Sequence, residues 1–117
     1  MSTPAVSMEV FGDVLVAHTP DDLTNDTIRD FLFALETPIG EGRNRVVLHM
    51  DRTETIDSPG LEGLLDLRDL VRAAGGTTKV SGLTETGREV FRITRLDQAF
   101  ETFPSVLDAV SSFVAMR

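Results

Sequence analysis

The chain has 117 residues, 41% of them hydrophobic and 26% charged, with seven Phe and no Cys, Trp or Tyr. That length suits one domain over residues 1–117, large enough to bury a core without a disulfide or a metal. Eleven Lys and Arg against nineteen Asp and Glu leave −8 at neutral pH, a balance that repels phosphate backbones and speaks against nucleic-acid binding, while the lack of cysteine excludes a disulfide scaffold, a thiolate nucleophile and Cys-ligated zinc.

Met1 to Met8 carries no Lys, Arg or apolar block and does not read as a secretory signal. Residues 5–10 and 13–18 are short and Val-rich, with Gly12-Asp13 between them, which predicts a hairpin. Ile28, Phe31, Leu32 and Leu35 fall at i, i+3, i+4 and i+7, the buried stripe of a helix that Thr24 or Asn25 can cap. Phe31 to Leu35 is the longest apolar run, five residues against the roughly 20 that cross a bilayer. A cytoplasmic protein with no membrane partner is expected.

Thr37 to Arg45, with Pro38, Gly40 and Gly42, reads as a helix-to-strand loop. Arg45 to Met50 is β-branched and apolar, the pattern of a strand buried on both faces. A polar stretch from Asp51 to Asp57 leads into a second helix, about Pro59 to Ala74, with Leu61, Leu64, Leu65, Leu67 and Val71 on its packing side. Gly75-Gly76 ends it, because glycine accepts the left-handed turn after a helix.

Thr77 to Ser81 is a mostly polar strand, and Thr84 caps a third helix carrying Val90 and Phe91. Ala99 to Phe103 reads as a last short strand. Ser105 with Asp108 resembles a capping box for a final helix whose apolar side is Leu107, Val110, Phe113 and Val114. The order ββαβαβα(β)α predicts an α/β fold: a mixed sheet of four to five strands with about four helices packed on it.

The segment with chemical content is Ile56-Asp57-Ser58-Pro59-Gly60-Leu61, where the central strand hands over to the second helix. Ser58 fits the N-cap position, and Pro59 fits the first turn, where its missing N–H costs nothing. Gly60 lets another backbone approach closely. The hydroxyl stands at the positive end of a helix dipole. Two readings follow: Ser58 is only a cap, or it accepts a phosphate. From Asp51 to Asp69 there are six acids and two bases, −4 net. A phosphate there would add about −1.5 to −2 beside Asp57 and break a protein contact by repulsion and desolvation. Glu62, Asp66 and Asp69 share one helix face, which reads as solvated surface or as a docking rim.

Arg45-Val-Val-Leu-His-Met50, Thr55-Ile-Asp-Ser-Pro-Gly-Leu-Glu-Gly-Leu-Leu65 and Ala73-Ala-Gly-Gly76 together resemble the STAS domain of bacterial anti-sigma factor antagonists. The resemblance continues through Val80-Ser-Gly-Leu-Thr84, Val90-Phe91 and Thr94 to Phe100, and it is weak before residue 45. It implies a non-enzymatic regulator without cofactor, a monomer or weak dimer. Its partners would be a serine-kinase anti-sigma factor, bound in the unphosphorylated state, and a phosphatase that resets it. Carried over, the phosphoacceptor is Ser58. The implied docking set is Asp57, Ser58, Pro59, Gly60 and Leu61, with Glu62 and Asp66 on the exposed side of the second helix and Thr24 at the start of the first.

Three positions depart from the family pattern. Pro59 replaces a second hydroxyl residue, Thr24 stands where an aspartate is usual, and Arg95 replaces a glycine. Pro59 also removes a backbone N–H that could cradle a phosphate and stiffens the loop. A constitutive STAS interaction module, unswitched because of Pro59, is therefore an alternative. A two-component receiver with Asp51 as phosphoacceptor is another, although Lys79, the only lysine, lies in a strand and no late Lys follows. His18 and His49, each in a strand, show no third metal ligand and no Ser-His-Asp order by spacing. Gly82 to Gly87 lacks the Lys of a phosphate loop.

Overall fold

A computed structural model describes residues 6–114. β1 (Met8–Phe11) and β2 (Val14–His18) form the expected antiparallel hairpin, with Phe11 opposite Val14 and Met8 opposite Ala17. The hairpin's expected start at residue 5 lies outside the described residues. Next come β3 (Asp22–Leu23), α1 (Ile28–Gly40), β4 (Arg45–His49), β5 (Thr55–Ile56) and α2 (Ser58–Ala73). β6 (Thr77–Ser81), α3 (Glu85–Thr94), α4 (Leu96–Ala99), β7 (Glu101–Phe103) and α5 (Val106–Val114) complete the chain.

The main sheet runs β1-β2-β4-β6-β7, with β1 antiparallel and the other pairings parallel. β3 and β5 form a separate two-residue parallel ladder. This is the predicted mixed α/β sheet, with α4 as a fifth helix. A four-residue helix has too little sequence to show a period.

Because strand side chains alternate between faces, each central strand feeds two cores. Leu15, Ala17, Val46, Leu48 and Val80 pack under Phe31 and Leu35 of α1, Leu64, Leu67 and Val71 of α2, and Phe91 of α3. Val14, Val16 and Val47 face the other way, onto Ala109 and Phe113 of α5. Burial of each Val, Leu or Phe among them stabilises the fold by roughly 1.5–3 kcal/mol. β4, in the middle of the sheet, is buried on both faces, as its unbroken apolar run predicts.

Four local expectations differ from the structure. The first helix starts at Ile28, not after a Thr24 or Asn25 cap. The Thr24 carbonyl accepts from the amides of Thr27 and Ile28, at 3.1 and 2.8 Å, so residues 24–27 form a turn ahead of the helix. The Thr27 hydroxyl closes it by donating to the Asp22 carbonyl at 2.6 Å and accepting from Thr24 N at 3.0 Å.

α1 also continues through Pro38 to Gly40, where a loop was expected. Ile39 extends the stripe of Ile28, Phe31 and Leu35 into the core, which outweighs the single hydrogen bond that Pro38 forgoes. The polar stretch 51–57 contains β5.

Finally, α5 is rotated: Phe113 and Val110 pack inward as expected, but Leu107 and Val114 turn outward and Ala109 takes an inner place. Ala109 and Phe113 are buried, Val106 and Val110 half-buried, and Leu107 is 73% exposed. The rotation lets Ser112 face the sheet, where the buried Lys79 ammonium donates to its hydroxyl at 2.7 Å and lies 4.3 Å from the Phe113 ring centre. Lys79 also pairs with Glu101 at 3.5 Å. The polar run 77–81 is thus a buried strand whose charged group is matched. Beyond α2, Gly75 takes the expected left-handed conformation at φ +83°.

Candidate functional site

β4 delivers the chain to the carboxyl end of the sheet at His49. Asp51 and Arg52 turn there, and Thr53 is then pulled inward. Its hydroxyl donates to the Pro20 carbonyl at 2.6 Å and lies 2.6 Å from the Thr19 hydroxyl. Glu54 N donates to Asp21 O at 3.0 Å, β5 pairs with β3, and Asp57 N donates to Leu23 O at 3.2 Å. These bonds stitch the handover segment to residues 19–23 and set Asp57 beside the turn before α1.

Asp57, not Ser58, is the N-cap of α2. Its Oδ1 accepts from Gly60 N at 2.9 Å, and its backbone is extended as a cap requires. Its Oδ2 accepts from Asn25 N at 3.0 Å, across 32 residues of chain. The carboxylate therefore closes the helix start and latches the turn 24–27 to it. The expectation that Ser58 caps the helix is corrected on this geometry: the amide a Ser58 hydroxyl would seek is already taken. Ser58 is instead the first helical residue, exposed, and its hydroxyl has no partner among the described residues.

Beneath it, α2 is seated tightly. A Cβ on Gly60 would lie 2.0 Å from Leu23 O, and one on Gly63 would lie 2.1 Å from Ile28 Cγ1. The close backbone approach that Gly60 allows is made by Leu23 of the same chain. Leu61 is half-buried against the core and Pro59 half-buried. Glu62, Asp66 and Asp69 are exposed, and Thr24 is half-buried in the latched turn. The outward surface at this junction is therefore Ser58, Pro59, Glu62 and Asp66. Among the first-turn amides, Gly60's is taken, Pro59 has none, and only Ser58's own remains for an added anion.

Two arrangements had no signal in the sequence. One is the Asp57–Asn25 latch, which depends on the β3–β5 ladder. The other is at the carboxyl ends of β2 and β4, where parallel pairing makes His18 and His49 register partners, their rings edge-on with centres 5.4 Å apart. His18 pairs with Glu9, while His49 shares a 2.8 Å hydrogen bond with the Ser81 hydroxyl and stands 3.5 Å from Asp51. Ser81 is 0% exposed, so this Ser-His-Asp grouping offers no nucleophile to a substrate. Among the described residues no three His, Asp or Glu are placed to hold a metal ion, and no helix is long and apolar enough to cross a membrane.

The STAS domain family model matches residues 5–109. The chain belongs to the STAS domain family. Three solved structures set its place within that fold. An anti-sigma factor antagonist from Mycobacterium paratuberculosis is 20% identical, covers 96% of this chain and 97% of its own, and superposes with a TM-score of 0.81. The Bacillus cell-fate determinant SpoIIAA in its phosphorylated form is 20% identical over 93% and 99%, with a TM-score of 0.71.

The murine anion transporter Slc26a9 is 17% identical over 92% of this chain but only 18% of its own, with a TM-score of 0.78. STAS domains thus occur both as small antagonists and as parts of transporters. At these identities the likeness is one of fold. No curated protein matched the chain by sequence. The receiver alternative falls with this membership: the sheet of this STAS domain opens with an antiparallel hairpin, not the βαβ unit of a receiver.

Proposed function

We propose that this STAS domain is an anti-sigma factor antagonist of the cytoplasm that acts by binding. It docks on a serine-kinase anti-sigma factor through the outward surface at the start of α2 and is released when Ser58 is phosphorylated; a phosphatase restores it. The observation that carries this reading is the exposed Ser58 hydroxyl on a helix start that Asp57 already caps. A modifying enzyme can reach that oxygen without breaking the cap.

The same geometry gives the switch its direction. A phosphoryl group adds about −1.5 to −2 of charge and three strong acceptors. Docking would strip water from it. Asp57 is adjacent, Gly60 N is occupied and Pro59 donates nothing, so the desolvated dianion has only one local amide. The phosphorylated SpoIIAA fold supports a phosphate on this scaffold.

The test is intact-mass measurement after incubation with the anti-sigma kinase and ATP. We expect the mass of one phosphate, its loss in Ser58→Ala, and retention of the unmodified chain but not the phosphorylated one on immobilised kinase. Pro59 favours a second reading, a constitutive interaction module. It predicts a stable complex with no phosphorylated species, and a phosphate found on Ser58 in the native cell excludes it.

A further inference from the structure

Beyond the Ser58 junction, α1 and α2 line an open groove of about 290 Å³. They meet closely where Gly63 gives way to Ile28. Leu32, half-buried, and Pro59 form the apolar lining, and Phe33 stands on the α1 wall at 73% exposure. An aromatic ring left so open beside a groove is the kind of residue that anchors protein interfaces. The groove flanks carry Glu36, Glu62 and Asp66 against the single cation Arg29.

We propose that this groove extends the docking surface from Pro59, Glu62 and Asp66, which it shares with the Ser58 junction, onto Leu32, Phe33 and Glu36 of α1, and that it takes a segment of the partner protein presenting an aliphatic side chain between Lys or Arg residues. Phe33 and Leu32 contact the aliphatic group, and the three carboxylates receive the flanking cations. Charge decides between occupants. A second copy of this chain, itself −8, would set acid against acid, whereas a basic segment is steered in.

The groove begins at Pro59, so a partner covering Ser58 reaches it without a break. In that respect the inference rests on the docking reading above. The two ends of this continuous surface would have separate duties. The groove supplies salt-sensitive attraction, and the Ser58 junction decides release by local desolvation.

The experiment places p-benzoylphenylalanine at position 33 of the full chain in its native cell, with irradiation and sequencing of the crosslinked peptide. The same group at Leu107, equally exposed but on α5, is the control. We expect a position-33 adduct to one protein, at a segment with at least two Lys or Arg around an aliphatic residue. We expect its yield to fall about fivefold in Glu36→Lys, an exposed groove acid on α1 outside the Ser58 junction whose change leaves the circular dichroism spectrum intact. No adduct specific to position 33, an adduct to a second copy of this chain, or a yield indifferent to charge reversal overturns the groove assignment. A charge-dependent adduct upholds the groove even where intact-mass measurement finds no phosphate on Ser58, and a phosphate on Ser58 with no position-33 adduct upholds only the switch, so the two proposals fail separately.

Discussion

The starts of α2 and α3 are built to one plan and used differently. Each follows a segment leaving the carboxyl end of a parallel strand, and each has an extended cap residue whose side chain accepts from a glycine amide three positions on: Asp57 from Gly60 at 2.9 Å, Thr84 from Gly87 at 2.9 Å. At α3 the closure is nearly local, since the Thr84 hydroxyl makes only a 3.4 Å contact with Thr53 O. Glu85 already supplies a permanent anion in the first turn.

At α2 the first turn holds no acid, the first residue is a neutral hydroxyl, and the cap's second oxygen reaches across to Asn25. The same cap thus serves as a terminus in one helix and as a joint between two helices in the other. An anion added to the joint meets conditions that an anion at the terminus does not.

The widest divergence should appear at the two glycines. In Gly60→Ala the new methyl would stand 2.0 Å from a backbone oxygen of Leu23. The β3–β5 ladder or the helix must move, so a loss of about 3 kcal/mol or more is expected in urea denaturation. In Gly87→Ala the nearest atom is Leu83 Cδ2 at 3.2 Å, the end of a half-buried side chain that can yield. Better helix propensity offsets that contact, leaving stability within about 1 kcal/mol of wild type. Equal losses at both sites would mean that α2 is not seated on Leu23.

The caps come next in size. Thr84→Ala should cost about 1 kcal/mol, the usual value for a lost cap, and Asp57→Ala about 2 kcal/mol because the latch goes with the cap. Asp57→Asn separates the two duties. Its one carbonyl oxygen can keep the Gly60 amide but cannot also hold Asn25, so most of the stability returns while the Asn25 amide exchanges hydrogen faster. Unchanged exchange at Asn25 would show that the turn 24–27 is held without Asp57.

What could be read in the sequence follows from period and length. The doubly buried β4, the hairpin and the α2 stripe each carry five or more patterned residues, and all are found. Thr84 was legible as a cap because its helix starts without competition. At α2 two good capping residues, Asp57 and Ser58, stand side by side. Propensity alone cannot choose between them.

The choice is made by the β3–β5 ladder, two residues to a strand and invisible to any pattern. The ladder brings Leu23 under Gly60 and Asn25 within reach of Asp57. On α5, Phe113 and Val110 face inward as expected, while Leu107 and Val114 do not, for a related reason. Leu107 and Val114 are apolar, but the sheet beneath needs Ser112 for Lys79. Arg95, legible as standing in a glycine's place, does sit in the left-handed region at φ +64°.

The smallest expected effect is the one that decides how switch and scaffold are divided. If Ser58 were the cap, Ser58→Ala would lose about 1 kcal/mol, as Thr84→Ala should. With Asp57 holding the Gly60 amide, the Ser58 hydroxyl bonds to nothing among the described residues, and alanine is the slightly better helix former. Stability should therefore stay within about 0.5 kcal/mol of wild type, with an unchanged denaturant slope. That outcome makes Ser58→Ala a clean reporter, because any change in phosphorylation or partner binding then belongs to the hydroxyl and not to a weakened fold. A loss near that of Thr84→Ala would instead return the oxygen to the cap, and the exposed first residue of α2 would no longer be free to act as a toggle.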